Sequence, residues 1–598
     1  MDSDNKSSRI LWLKQQIASL PSGSITTKRI GGKTYYYLRN TINKKRVEKY
    51  VSFSDINTLQ TQIKKRKVLE VELKSLLEKK RPPIKGKSDD FIANVILGDS
   101  LRLFSVPVKK LKKRGCYKLL KDFIYGEEQD KVLILYGLRR TGKTTLIRQI
   151  LCEMSDVELS KSAFIQIMHQ NTLSDINHDL KKLEEKGYRY IFLDEVTLLD
   201  DFIQGAALLS DVFASCGMKI VLSGTDSLGF LFAEDEQLYD RSIFIHTTFI
   251  PYREFENVLS IKGIDEYIRY GGTMSLGGVN YNENSIFANI EKADEYVDSA
   301  IARNIQHSLR SYQYEGHFRN LQELYENNEL TSAINRVVED INHRFTLDVL
   351  TRDFKSHDIA ISASNLRRDR EARTDILDNI DLPSVTAHLK ELLEIRNKSE
   401  QKVSINDEAL LEIEEYLHLL DLVQYVNVVS LSNLNKKAVR TIISQPGLRY
   451  AQADAVINSL LQDETFSALS LKERNAVSSR IQSEIMGRMM EDIVLFETTQ
   501  ANPKMDVFVL QFPIGEFDMV VFDKERGNCL IYDIKHSDKV VKEQYKHLVD
   551  EEKCKQTEHR YGPIISKTVL FRGKSQVYDG INYINVEEYL LSLSDLQE

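Results

Sequence analysis

The chain has 598 residues, of which 42% are hydrophobic and 28% are charged, and its net charge is −7. No apolar run approaches the ~20 residues that a membrane helix needs, and the five cysteines are scattered without metal-type spacing. The composition therefore excludes a membrane protein and a disulfide scaffold. It predicts several soluble domains in the cytoplasm, with reduced thiols and no signal peptide.

Residues 1–82 are predicted to form a small basic α+β module. A short helix comes first, two strands surround Gly31 and Gly32, a third strand follows, and a long basic helix begins at Asp55. Residues 1–90 contain 21 Lys and Arg against 9 Asp and Glu. Cations beside aromatic rings bind phosphates and stack bases, so the module is a candidate nucleic-acid binder. The alternative is that its tyrosines fill a small core: Tyr35, Tyr36, Tyr37 and Tyr50.

An apolar run from Val132 to Tyr136 leads directly into Gly-x-x-x-x-Gly-Lys-Thr, and helical spacing follows. This strand–loop–helix order is that of a phosphate-binding loop, in which backbone N–H groups surround a phosphate at the positive end of a helix. Lys143 is expected against the β- and γ-phosphates of ATP, and the Thr144 hydroxyl is expected on Mg²⁺. The predicted nucleotide-binding residues of the loop are Gly137, Leu138, Arg139, Arg140, Thr141, Gly142, Lys143, Thr144 and Thr145.

A second apolar strand, Tyr190 to Leu193, ends in two acids. A buried parallel strand places such acids at its carboxyl end, beside the phosphate loop. Asp194 is predicted to hold Mg²⁺ through water. Glu195 is predicted to polarise the attacking water as the catalytic base.

A third apolar strand ends in hydroxyl side chains, and the strand after it begins with an arginine. Ser223 and Thr225 are candidates either to sense the γ-phosphate or to cap a helix. Arg241 is a candidate arginine finger, acting within the chain or between subunits, and the alternative is an ordinary surface arginine. Action between subunits would require a homo-oligomer.

Several of these segments together resemble one protein family. They are Gly137 to Leu146, Phe192 to Glu195, Leu222 to Thr225, Pro251 to Glu256 and Tyr270 to Gly272. The family comprises bacterial and archaeal AAA-like P-loop ATPases with a C-terminal restriction-endonuclease-like domain of the PD-(D/E)XK type, and the resemblance covers about residues 110–598. It implies a role in defence or in the upkeep of mobile DNA. The chain departs from the family pattern at Asp240-Arg241, where Gly-Arg is usual, and after Gly271-Gly272, where Thr-Met stands in place of x-Pro.

Residues 286–475 are predicted to be mostly helical, with amphipathic helices over 382–393 and 409–423. The family resemblance implies a winged-helix module in this region. The stretch is not strongly basic, so a structural or interdomain role is favoured over the reading of DNA bases.

The last quarter of the chain follows the order helix, three strands, helix, strand, which is that of a restriction-endonuclease-like nuclease core. A helix over 481–498 carries Glu491, the second strand carries Asp518, and the third strand ends in Asp533 and Lys535. The last two are two residues apart on a strand, so they project to the same side. Gln544, on a helix expected over 538–560, is a possible accessory residue.

These residue types suit metal-dependent cleavage of a phosphodiester. Asp518, Asp533 and the carbonyl of Ile534 are predicted to hold Mg²⁺ with oxygen ligands, and Glu491 adds a catalytic carboxylate. Lys535 is predicted to orient or deprotonate the attacking water and to stabilise the developing charge. The alternative is a surface hairpin that carries an Asp–Lys pair.

The predicted fold class is a multidomain α/β protein with a P-loop NTPase core on a parallel sheet. The predicted domains are the basic module at 1–82, an AAA-like ATPase at 100–285, a helical and winged-helix-like region at 286–475, and a restriction-endonuclease-like domain at 476–598. The predicted function is ATP hydrolysis with Mg²⁺, coupled to a nuclease that acts on DNA bound by the first and last of these domains. The alternative is a nucleotide-driven switch or scaffold whose nuclease-like domain only binds DNA or protein.

Overall fold

The computed structural model describes residues 24–30, 33–42, 45–51, 91–199, 206–225, 240–274, 281–302, 318–355, 405–431, 438–460 and 470–593, with single residues 66, 202, 230, 238 and 309. The chain divides into two compact units, Met1–Lys85 and Gly86–Glu598. The helices expected at the two ends of the first unit and over 382–393 lie outside the described residues. No helix in the described part combines the length and the apolar character that crossing a bilayer requires.

The first unit contains a three-stranded antiparallel sheet in the order β1-β2-β3. Its strands are β1 Ser24–Ile30, β2 Lys33–Ile42 and β3 Lys45–Val51. Ile30 pairs with Lys33, and only Gly31 and Gly32 separate these two residues in the chain, as the predicted hairpin requires. The predicted hairpin and third strand are therefore present.

The second unit begins with a sheet of six strands in the order β4-β6-β7-β8-β5-β9, counted over the described residues. The strands are β4 Asn94–Ile96, β5 Val132–Tyr136, β6 Ser162–Gln166, β7 Tyr190–Asp194, β8 Lys219–Gly224 and β9 Ser242–His246. Strands β5 to β9 run parallel, and β4 is antiparallel to β6. Every residue of β5 and β8 is buried, as central strands covered on both faces must be. The predicted parallel core is confirmed.

Helices connect and follow these strands. They are α1 Gly98–Ser105, α2 Tyr117–Tyr125, α3 Lys143–Glu153, α4 Asp156–Ser160, α5 Leu173–Glu185, α6 Tyr252–Leu259 and α7 Ile264–Tyr270. Reciprocal hydrogen bonds between the residue before the helix and its third residue fix the starts of α4, through Ser155 and Glu158, and of α5, through Thr172 and Asp175. These capping boxes explain why the two helices begin where they do.

A helical region follows the ATPase sheet. Its helices are α8 Tyr281–Asn284, α9 Ile290–Tyr296, α10 Arg319–Glu326, α11 Leu330–Lys355, α12 Asp407–Leu419 and, later in the chain, α13 Pro446–Leu460. The side chains of Asn289 and Asn406 cap α9 and α12. Phe287, Tyr296 and Tyr416 belong to the hydrophobic core of this region.

An eight-stranded sheet forms the C-terminal part, in the order β11-β10-β12-β13-β14-β15-β17-β16 over the described residues. Its strands are β10 Val423–Ser430, β11 Ala438–Ile443, β12 Asp506–Gln511, β13 Glu516–Asp523, β14 Asn528–Lys535, β15 Ile564–Phe571, β16 Gln576–Tyr578 and β17 Ile581–Asn585. The accompanying helices are α14 Leu471–Ala501, α15 Glu551–Tyr561 and α16 Val586–Ser592.

This half of the chain differs from the expectations in two details. The stretch 286–475, expected to be mostly helical, also contains the hairpin of β10 and β11, and β10 pairs in parallel with β12. The strands before residue 476 therefore belong to the same sheet as the strands after it. The helix expected over 538–560 is also shorter, since α15 begins only where Asp550 accepts hydrogen bonds from the first backbone N–H groups of the helix.

One continuous hydrophobic core joins the helices that follow β9 to the C-terminal sheet. Tyr267 and Ile268 of α7 lie in this core with Met489 of α14 and Tyr532 of β14. The helices that follow the ATPase sheet are therefore connected to the C-terminal sheet through packed side chains in addition to the covalent chain.

Candidate functional site

The phosphate loop connects the carboxyl end of β5 to the start of α3. Gly142 precedes α3 with a φ of 98°, and Gly137 follows β5 with a φ of 150°, both in the region that favours glycine. A β-carbon on Gly137 would lie 2.4 Å from Oγ1 of Thr247, so a larger residue cannot fit without displacing the loop. Thr145 lies in the first turn of α3. The cradle of backbone N–H groups that binds phosphate is thus sterically possible here.

Lys143 is buried at the start of α3. Its ammonium donates hydrogen bonds to the carbonyls of Gly137, at 2.7 Å, and Leu138, at 3.0 Å. Burial lowers the pKa of Lys143 to about 8, while the carboxylates of Glu195 and Asp194 oppose that change. An anionic phosphate would favour the charged ammonium, so the environment suits the predicted role.

Asp194 ends β7 and meets hydroxyl groups on both sides. Thr144 Oγ1 donates to Oδ2 of Asp194 at 2.9 Å, and Ser223, its partner on β8, donates to Oδ1. Burial raises the pKa of Asp194, and these hydrogen bonds oppose the rise. A hydroxyl and a carboxylate next to a phosphate loop are the oxygen ligands that Mg²⁺ takes in nucleotide sites, so the donor set fits the ion.

Glu195 follows Asp194 with a φ of 62°, which is uncommon for a residue other than glycine. Such a backbone conformation costs about 1–3 kcal/mol and persists where its surroundings enforce it. Thr225 Oγ1 donates to Oε2 of Glu195 at 3.1 Å. The hydroxyls that were candidates for phosphate sensing, Ser223 and Thr225, are therefore each bonded to one of the two acids.

Arg241 does not lie at the phosphate loop. It directly precedes β9, and the register pairs Val132, the first residue of β5, with Ser242. Since β5 and β9 are parallel, Arg241 is at the edge of the sheet opposite to the loop that follows Tyr136. Its guanidinium is 47% exposed and lies 2.8 Å from Asp211. An arginine finger acting within the chain is therefore wrong for this arrangement, and action between subunits stays a prediction.

A buried arginine that the sequence patterns did not indicate supports the loop from behind. Arg114 donates through Nη1 to the carbonyls of Thr141 and Thr247, each at 2.8 Å, and Nε lies 2.6 Å from Oε2 of Glu254. Thr141 also donates to the carbonyl of Leu138 at 2.8 Å. Glu254 belongs to the segment Pro251 to Glu256, which carries part of the family resemblance, so the sequence pointed to it. Arg114 precedes β5 in a stretch that matches no motif.

The helical region also contacts the loop. The carbonyl of Arg139 accepts a hydrogen bond from the Tyr296 hydroxyl at 3.2 Å, and that of Arg140 accepts one from the Met274 N–H at 2.8 Å. Leu138 is fully buried in the hydrophobic core of the helical region. A movement of the phosphate loop would therefore change its contacts with the helical region.

The C-terminal acids and lysine meet at adjacent strands, as the sequence predicts. Asp518 of β13 accepts hydrogen bonds at Oδ2 from the Ile534 N–H and from the Lys535 ammonium, each at 2.7 Å. Asp533 of β14 is only 1% exposed. Within the described residues, neither of its carboxylate oxygens has a hydrogen-bond partner. A buried carboxylate in that condition calls for an explanation such as a catalytic role, a bound ion or a bound water.

The acid–lysine cluster (Asp518, Asp533 and Lys535) places two buried carboxylates beside one ammonium group. Burial raises the pKa of Asp533 to about 8, Lys535 opposes the rise, and Asp518 adds to it. Among the residues that the structure describes, no three His, Cys, Asp or Glu side chains converge on one metal position. The two carboxylates are thus not joined by a third one, and the Mg²⁺ site predicted from Asp518, Asp533 and the Ile534 carbonyl stays a prediction.

Glu491 is paired with arginines. Its Oε2 accepts hydrogen bonds from Arg440 of β11 at 3.1 Å and from Arg488 at 2.7 Å. Burial alone would raise the pKa of Glu491, but the two guanidinium groups hold it below its ordinary value. Because β11 was not expected, Arg440 was not recognised as its partner. The prediction that Glu491 acts as a free catalytic carboxylate disagrees with this arrangement.

Gln544 lies in a 3₁₀ turn, Lys542–Gln544. Its amide donates to the carbonyl of Lys539 at 2.9 Å and accepts from the Val541 N–H at 3.2 Å. These bonds hold its own segment, so the accessory role expected for this residue has no support in the geometry.

Comparisons with known proteins agree with the nucleotide site. Residues 129–256 match the model of a family described as AAA domain, and the match includes Lys143, Asp194 and Glu195. The chain therefore contains an AAA-like P-loop ATPase domain. Residues 6–61 match a second family, described as a domain of unknown function (DUF6788).

Matches to solved structures are distant. One is the Aeropyrum pernix ORC1 protein in complex with DNA, at 15% sequence identity and a TM-score of 0.21, covering 61% of this chain and 97% of that chain. No curated protein matches the chain.

Proposed function

We propose that this protein hydrolyses ATP and that its AAA-like domain is coupled to a Mg²⁺-dependent nuclease-like domain, residues 476–598, acting on DNA. The observation that carries the nuclease proposal is Asp533, whose buried carboxylate lacks a hydrogen-bond partner within the described ranges. It lies beside the Lys535–Asp518 ion pair of 2.7 Å. Perturbed, unpartnered buried acids cluster at functional sites, which supports chemistry over a surface hairpin.

For ATP hydrolysis, Thr144 and Asp194 would hold Mg²⁺, which when bound would neutralise charge on the β- and γ-phosphates. Lys143 exchanges its contacts with the Gly137 and Leu138 carbonyls for phosphate oxygens. Glu195 accepts the proton of the attacking water. The hydrogen bond from Thr225 holds the carboxylate of Glu195 for that step.

For DNA cleavage, Asp518, Asp533 and the Ile534 carbonyl would hold Mg²⁺, which when bound would act as a Lewis acid on the phosphate. Burial favours a neutral Lys535, but Asp518 and Asp533 raise its pKa well above the ordinary value. Lys535 therefore keeps its proton and donates a hydrogen bond to the developing phosphate charge. Water adds to phosphorus and releases a proton to solvent, one P–O ester bond breaks, and the leaving oxygen takes up a proton from solvent.

The remaining parts of the proposal concern partners. The excess of positive charge in residues 1–90 supports the recruitment of DNA by the module at 1–82. The proposed setting is defence or the upkeep of mobile DNA, and it rests on the family resemblance. If Arg241 completes an ATP site, it does so in a homo-oligomer, where its exposed guanidinium can reach a neighbouring subunit.

The second candidate function is a nucleotide-driven switch or scaffold with a non-catalytic C-terminal domain. The observation that favours it is the pairing of Glu491 with Arg440 and Arg488, which neutralises the acid on the helix. In this case the acid–lysine cluster would bind DNA or protein without cutting it.

The ATPase proposal is tested by separating binding from hydrolysis. We expect Lys143→Ala to lose ATP binding, whereas Glu195→Gln keeps binding and loses turnover by about 10²-fold or more. Glu185→Gln, at the solvent-facing end of α5, is the matched control and should behave as wild type. Turnover retained in Glu195→Gln would remove this residue from the mechanism.

The nuclease proposal is tested on plasmid and single-stranded DNA with Mg²⁺, with and without ATP. We expect cleavage by the wild type and a loss of about 10²-fold or more in Asp533→Ala and Lys535→Ala. Lys524→Ala removes an exposed lysine of the same sheet, paired with Asp506 at 2.8 Å, and should not affect cleavage. Failure of the wild type to cut under every nucleotide condition contradicts the proposal and favours the switch or scaffold.

A further inference from the structure

Asp265, at the start of α7, contacts the residues that directly follow two neighbouring strands of the C-terminal sheet, β14 and β15. Its Oδ1 lies 2.8 Å from Nε2 of His536, and its Oδ2 lies 2.9 Å from Nη2 of Arg572. His536 directly follows Lys535 of β14, and Arg572 directly follows Phe571 of β15. Because Lys535 and Phe571 are partners in the sheet, one carboxylate holds the ends of both strands.

The other end of α7 leads to the phosphate loop. The Met274 N–H, shortly after the helix, donates to the carbonyl of Arg140 at 2.8 Å. The carbonyl of Gly272 accepts a hydrogen bond from the Gln445 amide at 3.0 Å, and a β-carbon on Gly272 would lie 2.6 Å from Cβ of Gln445. The segment after α7 is therefore hydrogen-bonded to the loop through Met274 and closely packed against Gln445 through Gly272.

Helix α7 itself is well suited to link the two ends. It has seven residues, so its axis spans about 10 Å at 1.5 Å per residue. Tyr267 and Ile268 are fully buried in the core that they share with Met489 and Tyr532. A helix fixed in a close-packed core shifts as a rigid unit, so a displacement of one end also displaces the other end.

The phosphate loop has contacts that a nucleotide must change. Lys143 donates to two loop carbonyls. An ammonium has three donors, so Lys143 must release at least one of these bonds to reach both a β- and a γ-phosphate oxygen. Arg140, whose carbonyl holds Met274, has a φ of 65°, so the adjoining backbone is already in a rarely populated conformation. The loop therefore has a structural reason to differ between the free and bound states.

We propose that Asp265 is a positioning residue for the acid–lysine cluster, and that α7 communicates the nucleotide state of the phosphate loop to the strand end that carries Lys535. The proposal rests on the proposed function of that cluster and specifies its regulation. By linkage, a nucleotide that stabilises one arrangement of the cluster is itself bound more tightly when the cluster adopts it.

The test is hydrogen exchange of the full chain in Mg²⁺ alone and in Mg²⁺ with a non-hydrolysable ATP analogue. In the wild type we expect the analogue to change exchange over residues 533–537 about fivefold or more. In Asp265→Asn we expect the analogue to bind with nearly wild-type affinity while this response is lost. Asp265→Glu should restore part of it. Asp156→Asn, which cuts the exposed Arg102–Asp156 pair of 2.6 Å, should respond as wild type.

Two outcomes overturn the proposal: a wild type that binds the analogue without a change at 533–537, or an Asp265→Asn variant that responds fully. If Asp265→Asn does not fold, Arg572→Gln, at a partly exposed position, tests the same contact. Neither readout requires DNA cleavage. A nucleotide response without cleavage contradicts only the nuclease proposal, and cleavage without the response contradicts only the coupling.

Discussion

Arg114 and Glu254 form an ion pair of 2.6 Å behind the phosphate loop, with side chains only 6% and 9% exposed. Removing one partner of such a pair leaves a buried charge uncompensated, which typically costs about 3–5 kcal/mol. We expect Glu254→Gln to lower the free energy of unfolding by about that amount and to weaken ATP binding, because Arg114 holds the carbonyl of Thr141. Denaturant unfolding and nucleotide titration measure the two effects.

The matched control for this pair is Arg102→Gln. Arg102 and Asp156 are also 2.6 Å apart, but both side chains are exposed, so solvent screening should leave their pair with little effect on stability. If both variants lost the same free energy of unfolding, burial would not explain the contribution of Arg114 and Glu254 to stability.

The lowered pKa of Lys143 makes ATP binding depend on pH. Above its pKa of about 8, the free protein increasingly loses the ammonium proton, whereas bound phosphate favours the charged form. Binding then requires proton uptake, so we expect the affinity to fall by up to about tenfold per pH unit above pH ~8. Titration with a fluorescent nucleotide measures this, and Lys143→Arg is the control because a guanidinium stays charged. A flat wild-type profile would show that Lys143 keeps its ordinary pKa.

In the absence of Mg²⁺, the buried carboxylate of Asp533 is expected to lower the free energy of unfolding relative to a neutral side chain at this position. Its buried carboxylate is unpartnered in the part of the chain that the structure describes, and its pKa is raised to about 8. Asp533→Asn should therefore stabilise the protein in a metal chelator, by about 1–2 kcal/mol, and should abolish stabilisation by Mg²⁺. Thermal unfolding with and without Mg²⁺ measures both.

Asp523, on the same sheet, is the comparison for Asp533. Its carboxylate accepts hydrogen bonds from the backbone N–H groups of Glu525 and Arg526. We expect Asp523→Asn to destabilise the protein in either buffer. The interpretation of Asp533 fails if its variant loses stability in the same way.

The stability of the chain is also expected to depend on pH, through Glu497. It lies in α14, accepts a hydrogen bond from the Tyr252 N–H at 2.7 Å, and burial raises its pKa from 4.5 to about 7. Between these values the folded chain binds more protons than the unfolded chain, so the free energy of unfolding falls as the pH rises through this window. Glu497→Gln keeps an acceptor for Tyr252 and carries no charge.

We therefore expect Glu497→Gln to unfold at a higher temperature than wild type near pH 8, and we expect the difference to vanish near pH 5. Calorimetric scans at the two pH values measure it. Glu185→Gln, on an exposed carboxylate, should show no such pH-dependent gain. A difference of the same size at both pH values would mean that charge burial is not its cause.

Structural features that depend on contiguous residues could be predicted from the sequence. The phosphate loop, the acids that end β7, and the strands that carry Asp518 and Asp533 depend on short apolar runs and on the turn residues beside them. The backbone periodicity of a strand also places Asp533 and Lys535 on one side, and the contact of Lys535 with Asp518 follows from the neighbouring strand.

Features that depend on distant pairing were not predictable. Arg440 contacts Glu491 across 51 residues, and Arg114 contacts Glu254 across 140 residues. No local pattern records such partners. The position of Arg241 depends on which end of β9 lies beside the phosphate loop, and this follows only from the parallel register of β9 with β5.

The pairing of β10 with β12 determines where this chain can be divided. A fragment that starts at residue 476 would keep β12 but lose β10, which pairs along it from Asn427 to Ser430. The backbone groups of β12 on that side would then face solvent and invite association between copies. A fragment for isolated study should start near residue 405, ahead of α12, so that the hairpin continues to cover this edge.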